Sequence, residues 1–448
     1  MDKGQVHVIT DFYSKALGSQ RIFRVCLPPD YDNSQERYPV VYMHDGQWSF
    51  SEEGKRRWNA DLTAWDLMVT GSIPPIILVG VDCNEADRRR ELSHTTPPPF
   101  RRMGRRGYIP CHSFEGEGLG FSYEMYMADE VKSYIDSHYR TKPEKEHTLL
   151  AGSSMGGLVT LCMGMNRHET YGMLGLLSPA VHWLSDEFYN SMEHYGQKIW
   201  LDCGMAESYY VDNTRELYHI LKGLGYEQGK DLHYLAEPEA VHTEQYFAQR
   251  FRMLLLWIFG KKTEPETVTI LGSDTAALNG YATMINTVII YENGIMQSDM
   301  EGSYRSDPPG ILKVEPHGEV RAVSAGRAMV TYEKGNLKAA KEIRVVNALS
   351  RDVLLHILVE IPRDTPQGDP IVYHFFRDQY CVLEKKSDTL YEGELGVPRD
   401  WEFYGHFCRC IEDRDKKREC TADRKEVNRF VRTSKNQTLH YVVEAWQE

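Results

Sequence analysis

Residues 148–157 read TLLAGSSMGG, in which a short apolar run leads directly into a Gly-x-Ser-x-Gly pentapeptide. A segment compatible with a helix, residues 158–165, follows it. A nucleophile elbow requires this order of strand, sharp turn and helix, with small residues two positions before and after the serine. Gly152 and Gly156 occupy those positions. We therefore predict that Ser154 is a catalytic nucleophile, although a Gly-rich strand–helix connection without chemistry produces the same pattern.

A serine nucleophile needs a base, and that base needs a carboxylate to orient it. The chain order associated with this elbow is serine, acid, histidine. Glu207 and His242 each follow a later predicted strand and fit this order. Asp202 lies inside its strand and is expected to be a buried structural carboxylate, while Asp212 competes with Glu207 as the acid. His233, within a strand, is predicted to be a packing residue.

Two backbone N–H groups are predicted to stabilise an oxyanion beside the serine. Met155 would start the helix after Ser154, so its N–H points into the space beside the hydroxyl. The second donor should follow an early strand, and residues 40–47, VVYMHDGQ, have that form. Gly46 allows a sharp turn there, which makes the N–H of Gln47 the expected second donor.

Around this motif, short apolar runs alternate with amphipathic stretches. The alternation predicts βαβ units and a mainly parallel sheet. The predicted strands are residues 40–43, 76–81, 148–151, 174–177, 199–201 and 232–235, and the predicted helices are residues 122–139, 214–224 and 243–259.

The pattern changes near residues 261–265, KKTEP, after which the helical period disappears. Short β-rich runs separated by Gly, Asn, Asp and Pro follow, which is the pattern of β-sandwiches. A second break falls near residues 347–350. We predict an α/β-hydrolase domain over residues 1–262 and two C-terminal all-β sandwich domains over residues 263–348 and 349–448.

Composition excludes several functional classes. With 448 residues and about 150 residues per domain, about three domains are expected. The net charge of −13 argues against nucleic acid and anionic membrane surfaces as partners. No apolar run reaches the ~18 residues that span a bilayer. Because the N-terminus lacks a secretory pattern and the nine cysteines form no framework, we expect a cytoplasmic protein with free thiols.

Several of these motifs together resemble the esterase D-like α/β-hydrolases, which include feruloyl and acetylxylan esterases, enterochelin esterases and S-formylglutathione hydrolases. The resemblance implies a serine esterase without a cofactor, in which Ser154, Glu207 and His242 are the catalytic residues. Many members carry Asp where this chain has Glu207. The matching pieces are HDGQ at 44–47, RRRE at 88–91, AGSSMGGL at 151–158, LSPA at 177–180, GMAE at 204–207 and HTE at 242–244.

The two C-terminal regions carry weaker resemblances. Residues 265–346 resemble a bacterial Ig-like domain of group 2, through ILKV at 311–314, GEVRAVSAG at 318–326 and AMVT at 328–331. Residues 352–448 resemble a starch-binding-like β-sandwich, which implies a possible polysaccharide contact through exposed aromatic rings. Tyr380 stands about where such modules often carry Trp. Aromatic residues of small sandwiches are mostly packing residues, and we favour that interpretation for Trp401 and Trp446.

Seven arginines fall within residues 88–106, in a long segment after the strand at 76–81. The segment leaves the edge of the sheet that carries Ser154, where long loops often bind ligands. It is either a basic lid for an anionic substrate group or a salt-bridged structural loop. Under the first interpretation the substrate-binding residues are Arg89, Arg101, Arg102, Arg105 and Arg106.

These observations predict a serine carboxylic ester hydrolase that acts through an acyl-enzyme, on acetyl or feruloyl esters of carbohydrate. The arginines keep a siderophore trilactone esterase open as an alternative. A non-catalytic carbohydrate-binding scaffold is the alternative of another class. Cys408, Cys410 and Cys420 match no standard zinc spacing and are expected to be free structural thiols, so no metal is predicted.

Overall fold

The computed structural model describes residues 4–51, 58–94, 100–102, 108–110, 116–207, 209–280, 283–375, 379–411 and 416–447. The chain divides into two compact units. The first comprises Met1–Gly204, Tyr209–Thr267 and Val288–Met300, and the second comprises Met205–Ser208, Val268–Thr287 and Glu301–Glu448. No helix of the described residues is long and apolar enough to cross a membrane.

The first unit is built on a mainly parallel sheet of eight strands, in the order β1-β2-β4-β3-β7-β8-β9-β10. Only β1 and β2 run antiparallel to their neighbours, and the other six are parallel. The α/β-hydrolase fold predicted from the sequence is therefore confirmed. The strands of this unit, including the separate pair β5–β6, are β1 (Val6–Ser14), β2 (Ser19–Cys26), β3 (Val40–His44), β4 (Ile77–Val81), β5 (Phe100–Arg102), β6 (Tyr108–Pro110), β7 (Thr148–Ser153), β8 (Met173–Leu177), β9 (Lys198–Gly204) and β10 (Leu232–Glu237).

The six predicted strands are present because their apolar residues are buried on both faces of the sheet. Every residue of β3, β4, β7, β8 and β10 is buried. The sequence analysis did not identify β1 and β2. β1 is the edge strand and β2 lies between β1 and β4. Both contain exposed residues, so they lack the continuous apolar runs of the central strands.

Helices connect the parallel strands. The predicted helix over residues 122–139 is confirmed as α4 and α5, joined by a π-helical segment at Tyr126–Val131. The helices are α1 (Gly46–Ser49), α2 (Ala60–Val69), α3 (Arg88–Glu91), α4 (Gly120–Met125), α5 (Lys132–His138), α6 (Met155–Asn166), α7 (Asp186–Ser191), α8 (Tyr209–Leu224) and α9 (Glu244–Phe259). Short 3-10 turns lie at Tyr31–Asn33, Lys145–His147, Val181–Trp183 and Met205–Glu207.

Beyond α9 the described chain is all β, as predicted. Residues 265–346 form one sheet ordered β11-β13-β17-β16, with β14 paired to β13, and another ordered β12-β19-β18-β15. The strands are β11 (Pro265–Gly272), β12 (Thr275–Ala277), β13 (Thr283–Tyr291), β14 (Met296–Ser298), β15 (Ser303–Asp307), β16 (Leu312–Val314), β17 (Glu319–Ala322), β18 (Gly326–Lys334) and β19 (Leu337–Val346).

Residues 352–446 form two four-stranded sheets, β23-β24-β20-β28 and β22-β21-β25-β27, and a small pair, β26-β29. A separate hydrophobic core fills this region and includes Ile357, Tyr373 and Phe407. The strands are β20 (Asp352–Glu360), β21 (Val372–Phe375), β22 (Gln379–Val382), β23 (Glu384–Lys385), β24 (Leu390–Pro398), β25 (Glu402–Cys408), β26 (Glu419–Cys420), β27 (Arg429–Arg432), β28 (Gln437–Val442) and β29 (Ala445–Trp446).

One segment from the predicted Ig-like region belongs to the first unit. Val288–Met300 carries the turn from β13 into β14 and packs beside β10. The Oγ of Ser298 accepts a hydrogen bond from the N–H of Ala236 at 2.9 Å. The side chain of Gln228 donates to the carbonyl of Ser298 at 2.7 Å. The sheet ends at β10, and this segment covers that edge through side-chain hydrogen bonds. The domain boundaries drawn from sequence stay predictions.

Candidate active site

Ser154 has the backbone of a nucleophile elbow. It stands between the end of β7 and the first residue of α6, with φ 57° and ψ −117°. Positive φ in a non-glycine residue costs roughly 1–3 kcal/mol and persists only where the surroundings enforce it. Two hydrogen bonds do so here: the N–H of Ser154 donates to the Leu177 carbonyl at 3.0 Å, and the Ala180 N–H donates to the Ser154 carbonyl at 2.9 Å.

The two glycines of the motif allow the turn to be this tight. A Cβ added to Gly152 would lie 2.7 Å from the carbonyl carbon of Gly156. A Cβ on Gly156 would lie 3.2 Å from Oδ2 of Asp45 and 3.3 Å from Cβ of His44. The elbow therefore packs directly against the residues that follow β3, where the second oxyanion donor was predicted.

Gln47 and Met155 both lie in the first turn of a helix beside the elbow. The first N–H groups of a helix lack an intrahelical acceptor and are available to an anion. Met155 begins α6 and Gln47 is the second residue of α1. The Gln47 side chain is fixed against Cys83, because its Nε2 donates to Sγ at 3.0 Å and its Oε1 accepts from the Cys83 N–H at 3.2 Å.

A buried ion pair holds the loop that carries Gln47. Nε of Arg88 lies 2.6 Å from Oδ1 of Asp45, and Nη2 lies 2.7 Å from Oδ2. The Sγ of Cys83 also donates to Asp45 Oδ1 at 3.1 Å. Burial acts to raise the pKa of Asp45, but the Arg88 guanidinium outweighs it and the net pKa lies below the usual value. Asp45 is therefore a charged, fully paired anchor of the loop.

The structure shows side-chain contacts for some of the other arginines in residues 88–106 and does not describe the rest. Arg90 donates to the carboxylate of Asp87 at 3.2 Å and to the carbonyl of Glu117 at 3.1 Å. Arg89 is exposed and makes no ion pair with the described residues. The backbones of Arg101 and Arg102 form β5, and their side chains are outside the description. Arg105 and Arg106 lie outside the described residues. The salt-bridged interpretation thus holds for Arg88 and Arg90, and Arg89 stays a candidate for substrate binding.

His44, next to Asp45, is a buried neutral imidazole. Its Nδ1 lies 3.0 Å from the hydroxyl of Tyr123. Burial lowers its pKa from 6.5 to about 3, more than the Asp45 charge raises it. The ring therefore packs the base of the elbow as an uncharged group.

Asp202 is a buried structural carboxylate, as predicted. Its Oδ1 accepts from the N–H of Ser178 at 3.0 Å, and its Oδ2 accepts from Nε1 of Trp200 at 2.6 Å. Nε of the fully buried Arg250 lies 3.0 Å from Oδ1. These partners hold Asp202 inside the ends of β8 and β9.

Glu207 and Asp212, the two remaining acid candidates, occupy different kinds of position. Glu207 is buried in the 3-10 turn Met205–Glu207, which follows β9 in the chain and is grouped with the second unit. Asp212 lies in the first turn of α8. Of the two, Glu207 occupies the predicted position directly after a strand.

His242 lies between the end of β10 and the start of α9, at the same C-terminal edge of the sheet as Ser154. Its ring is half-buried between two aromatic rings that the sequence analysis did not identify. The Tyr210 ring centroid is 4.7 Å away, and Phe247 meets it edge-on at 5.0 Å. Phe247 lies in the first turn of α9, shortly after His242 in the sequence. This spacing could have indicated that the two rings meet.

His233 is the packing residue that its place in a strand predicted. It is fully buried and stacks on Trp200 with ring centroids 3.9 Å apart. Burial lowers its pKa to about 3. Cys408 and Cys420 are buried free thiols and Cys410 is half-buried. Among the described residues, no group of three or more His, Cys, Asp or Glu side chains is placed to hold a metal ion.

The model of the Esterase family matches residues 14–253, which is more than half of the chain. The protein YbbA of Bacillus subtilis is 22% identical over 260 residues, covering 55% of this chain and 96% of the relative. An endo-1,4-beta-xylanase/feruloyl esterase of Xylanibacter ruminicola is 30% identical over 186 residues, covering 40% of this chain and 22% of that protein. The ferri-bacillibactin esterase BesA of Bacillus subtilis is 27% identical over 213 residues, covering 43% of this chain and 69% of the relative.

Proposed function

The chain belongs to the Esterase family and is a carboxylic ester hydrolase, and we propose that Ser154 is the nucleophile of its active site. The observation that carries this proposal is the enforced φ of 57° at Ser154, between a buried strand and a helix N-terminus. His242 takes the proton of Ser154 as general base and delivers it to the leaving alcohol. The order of serine, acid and histidine in the sequence assigns the part of the orienting carboxylate to Glu207. Water then hydrolyses the acyl-enzyme.

The N–H groups of Met155 and Gln47 are the oxyanion donors of this mechanism. Both belong to first helical turns, and the Asp45–Arg88 pair and Cys83 fix the loop of Gln47. Preorganised donors of this kind need no rearrangement when charge develops on the carbonyl oxygen, and losing one typically lowers turnover about 10²–10³-fold.

The substrate we propose is an acyl ester of a carbohydrate, of the acetyl or feruloyl type. The support is the feruloyl esterase relative and the aromatic pair Tyr210 and Phe247 around His242. An aryl acyl group gains stacking contacts with such rings that an acetyl group does not.

The first test is hydrolysis of p-nitrophenyl acetate, butyrate and ferulate by the wild type, Ser154→Ala and Ser153→Ala. Ser153 is the matched control, because it is the adjacent serine and is buried in β7. We expect Ser154→Ala to lose roughly 10⁴-fold or more in turnover, since the nucleophile is absent, and Ser153→Ala to keep most activity. Equal losses in the two variants would assign the effect to folding and remove Ser154 as nucleophile.

A second candidate substrate is a catecholate siderophore trilactone, favoured by the exposed Arg89 and by the BesA relative. If Arg89 contacts an anionic substrate group, Arg89→Gln should raise KM for an anionic aryl ester and leave KM for the neutral analogue unchanged. The increase should shrink at high salt, because exposed charges are screened. An equal change for both esters would exclude this role of Arg89.

Among the residues that the structure describes in the C-terminal sandwich, Tyr380 is the more exposed of two exposed aromatic residues, the other being Phe430 at 37%. Trp401 and Trp446 are 7% and 8% exposed, as expected for packing residues, whereas Tyr380 is 46% exposed. We propose Tyr380 as the stacking residue. Tyr380→Ala should weaken retention on insoluble xylan or starch, measured in a Ser154→Ala background so that hydrolysis does not contribute. Unchanged retention would remove Tyr380 from this role.

A further inference from the structure

A cleft of about 140 Å³ lies in the first unit, at the edge of the sheet opposite the one that carries the proposed nucleophile. Lys198, which begins β9, and Lys230, which precedes β10, form part of its wall. The N-terminal ends of parallel strands lie at the edge opposite their C-terminal ends, and Ser154 follows the C-terminal end of β7. The end of α9 and the Val288–Met300 segment complete the cleft.

The rim of the cleft is positively charged. Four lysines line it, Lys198, Lys230, Lys261 and Lys262, and no carboxylate is among the described lining residues. Lys230 is paired with Glu227 at 2.9 Å, but the other three make no ion pair with the described residues. In a chain with net charge −13, the three lysines without an ion pair form a local cationic cluster that attracts an anion.

The floor of the cleft carries polar groups with spare hydrogen-bonding capacity. Gln297 lines the cleft and is only 4% exposed, and its side chain makes no hydrogen bond to any described residue. Its amide atoms keep access to solvent and are therefore available to the hydroxyl groups of a ligand. Asn293 lines the same wall, and its Oδ1 accepts only the N–H of Ile295 at 3.2 Å.

The third feature is an apolar wall. Trp257 is half-buried, lines the cleft and packs against His233 with ring centroids 5.5 Å apart. Leu256 and Ile295 extend this surface. Indole faces are suited to the apolar C–H face of a sugar ring or to another flat group.

From these three features we propose that the cleft binds the acidic sugar of a uronate, as a non-catalytic site. The carboxylate pairs with Lys261 and Lys262, the hydroxyls bond to the amides of Gln297 and Asn293, and the ring packs against Trp257. Inorganic phosphate satisfies the lysines but uses neither the amides nor the indole. A neutral hexose uses the amides and the indole but not the lysines.

The test is a calorimetric titration of the full-length protein with glucuronate, glucose and inorganic phosphate, with tryptophan fluorescence recorded in parallel. We expect glucuronate to bind most tightly and to change the fluorescence, because Trp257 lies at the site. Glucose or phosphate binding as tightly as glucuronate would overturn the proposal, since one set of contacts would then suffice.

Two variants locate the binding. Lys261→Gln/Lys262→Gln should weaken glucuronate binding about three- to tenfold, the size expected for two exposed charges. The matched control Lys15→Gln/Lys435→Gln removes the same charge from two exposed lysines outside the cleft lining and should leave binding unchanged. Gln297→Met, a substitution of similar volume, should also weaken binding. Equal effects of both lysine pairs would reduce the interaction to net charge and overturn the proposal.

Glucuronate binding is also distinguishable from occupation of the proposed active site. Saturating glucuronate should not compete with p-nitrophenyl acetate hydrolysis, and Ser154→Ala should bind glucuronate like the wild type. Competition with the ester that persists in Lys261→Gln/Lys262→Gln would place the ligand at the C-terminal edge of the sheet and overturn the cleft assignment.

Discussion

Ser154 and Asp45 both hold positive φ, at 57° each, and they lie on neighbouring turns. Each turn depends on partners that are distant in sequence: Leu177 and Ala180 for Ser154, and Arg88 for Asp45. Strain of this kind is stored where surrounding contacts over-determine the backbone. At the residue scale, we therefore expect substitution of Asp45 or Arg88 to disturb this turn strongly.

Arg88→Gln should destabilise the protein by about 3 kcal/mol, because it leaves the buried Asp45 carboxylate without its partner. It should also lower turnover of p-nitrophenyl acetate, since the loop of Gln47 loses its anchor. The control is Arg90→Gln, because the side chain of Arg90 is 33% exposed and is paired with an exposed Asp87. We expect this variant to lower the free energy of unfolding by less than about 1 kcal/mol. Urea unfolding at pH 7 measures both. Equal destabilisation by the two variants would contradict the anchoring role of Arg88.

His233 makes the stability of the first unit sensitive to acid. Burial lowers its folded pKa from 6.5 to about 3, so between those pH values the unfolded chain binds a proton that the native chain does not. The free energy of unfolding therefore falls as pH drops through this window, by up to about 1.4 kcal/mol per pH unit. Between pH 7 and pH 5, the free energy of unfolding should therefore fall by about 2 kcal/mol less in His233→Gln than in the wild type. Parallel pH profiles in urea titrations would contradict the assignment.

At the scale of elements, β14 packs against β10, the last strand of the hydrolase sheet, without pairing with it as a strand. Strand β10 would otherwise end the sheet with unpaired backbone groups, which is a site for unwanted association. Instead, Ser298 accepts the N–H of Ala236 at 2.9 Å, and the Nε2 of His233 donates to the carbonyl of Met296 at 2.9 Å. Both hydrogen bonds involve a side chain, so the packing of β14 against β10 depends on the identity of His233 and Ser298.

Ser298→Ala should cost about 1–2 kcal/mol, because the Ala236 N–H is left buried without its acceptor. Hydrogen exchange should locate the effect, with faster exchange at Ala236. Ser303→Ala, at an exposed position in β15, is the control and should leave both the unfolding midpoint and the exchange at Ala236 unchanged. Protection of Ala236 that survives Ser298→Ala would show that another group satisfies this N–H.

At the scale of the whole molecule, the net charge is negative while one local surface is positive. The chain carries −13 net charge, yet four lysines gather around one cleft. Screening limits the reach of such a cluster to about 10 Å at 0.1 M salt, so it acts on a ligand in contact and not on a distant polyanion. Among the described residues, one hydrophobic core packs on the parallel sheet and another fills residues 353–446.

The full-length protein should not bind double-stranded DNA at 0.15 M salt. Net negative charge repels the phosphate backbone, and counterion release requires several basic contacts along one surface. A mobility-shift assay checks this, with a basic DNA-binding protein as the positive control. A salt-sensitive shift that disappears in Lys261→Gln/Lys262→Gln would show instead that the cleft recognises polyanions.

The features predictable from sequence are those with local causes. Apolar runs buried on both faces marked the central strands, and the spacing of Gly152, Ser154 and Gly156 marked the elbow, because steric limits on a tight turn act within a few residues. The same reasoning placed Asp202 and His233 in the interior from their position within strands. The antiparallel strands β1 and β2 were not identified, since partial exposure breaks the apolar pattern.

Features that depend on partners far along the chain required the tertiary structure. Seven arginines looked equivalent in sequence, and only packing shows that Arg88 clamps Asp45 while Arg89 faces solvent. Nothing local indicated that Val288–Met300 packs against the last strand of the hydrolase sheet, or that Gln297 lines a cleft rimmed by lysines. An ion pair or a buried amide takes its role from whichever group the fold brings within about 3 Å, and residue type and spacing do not specify that group.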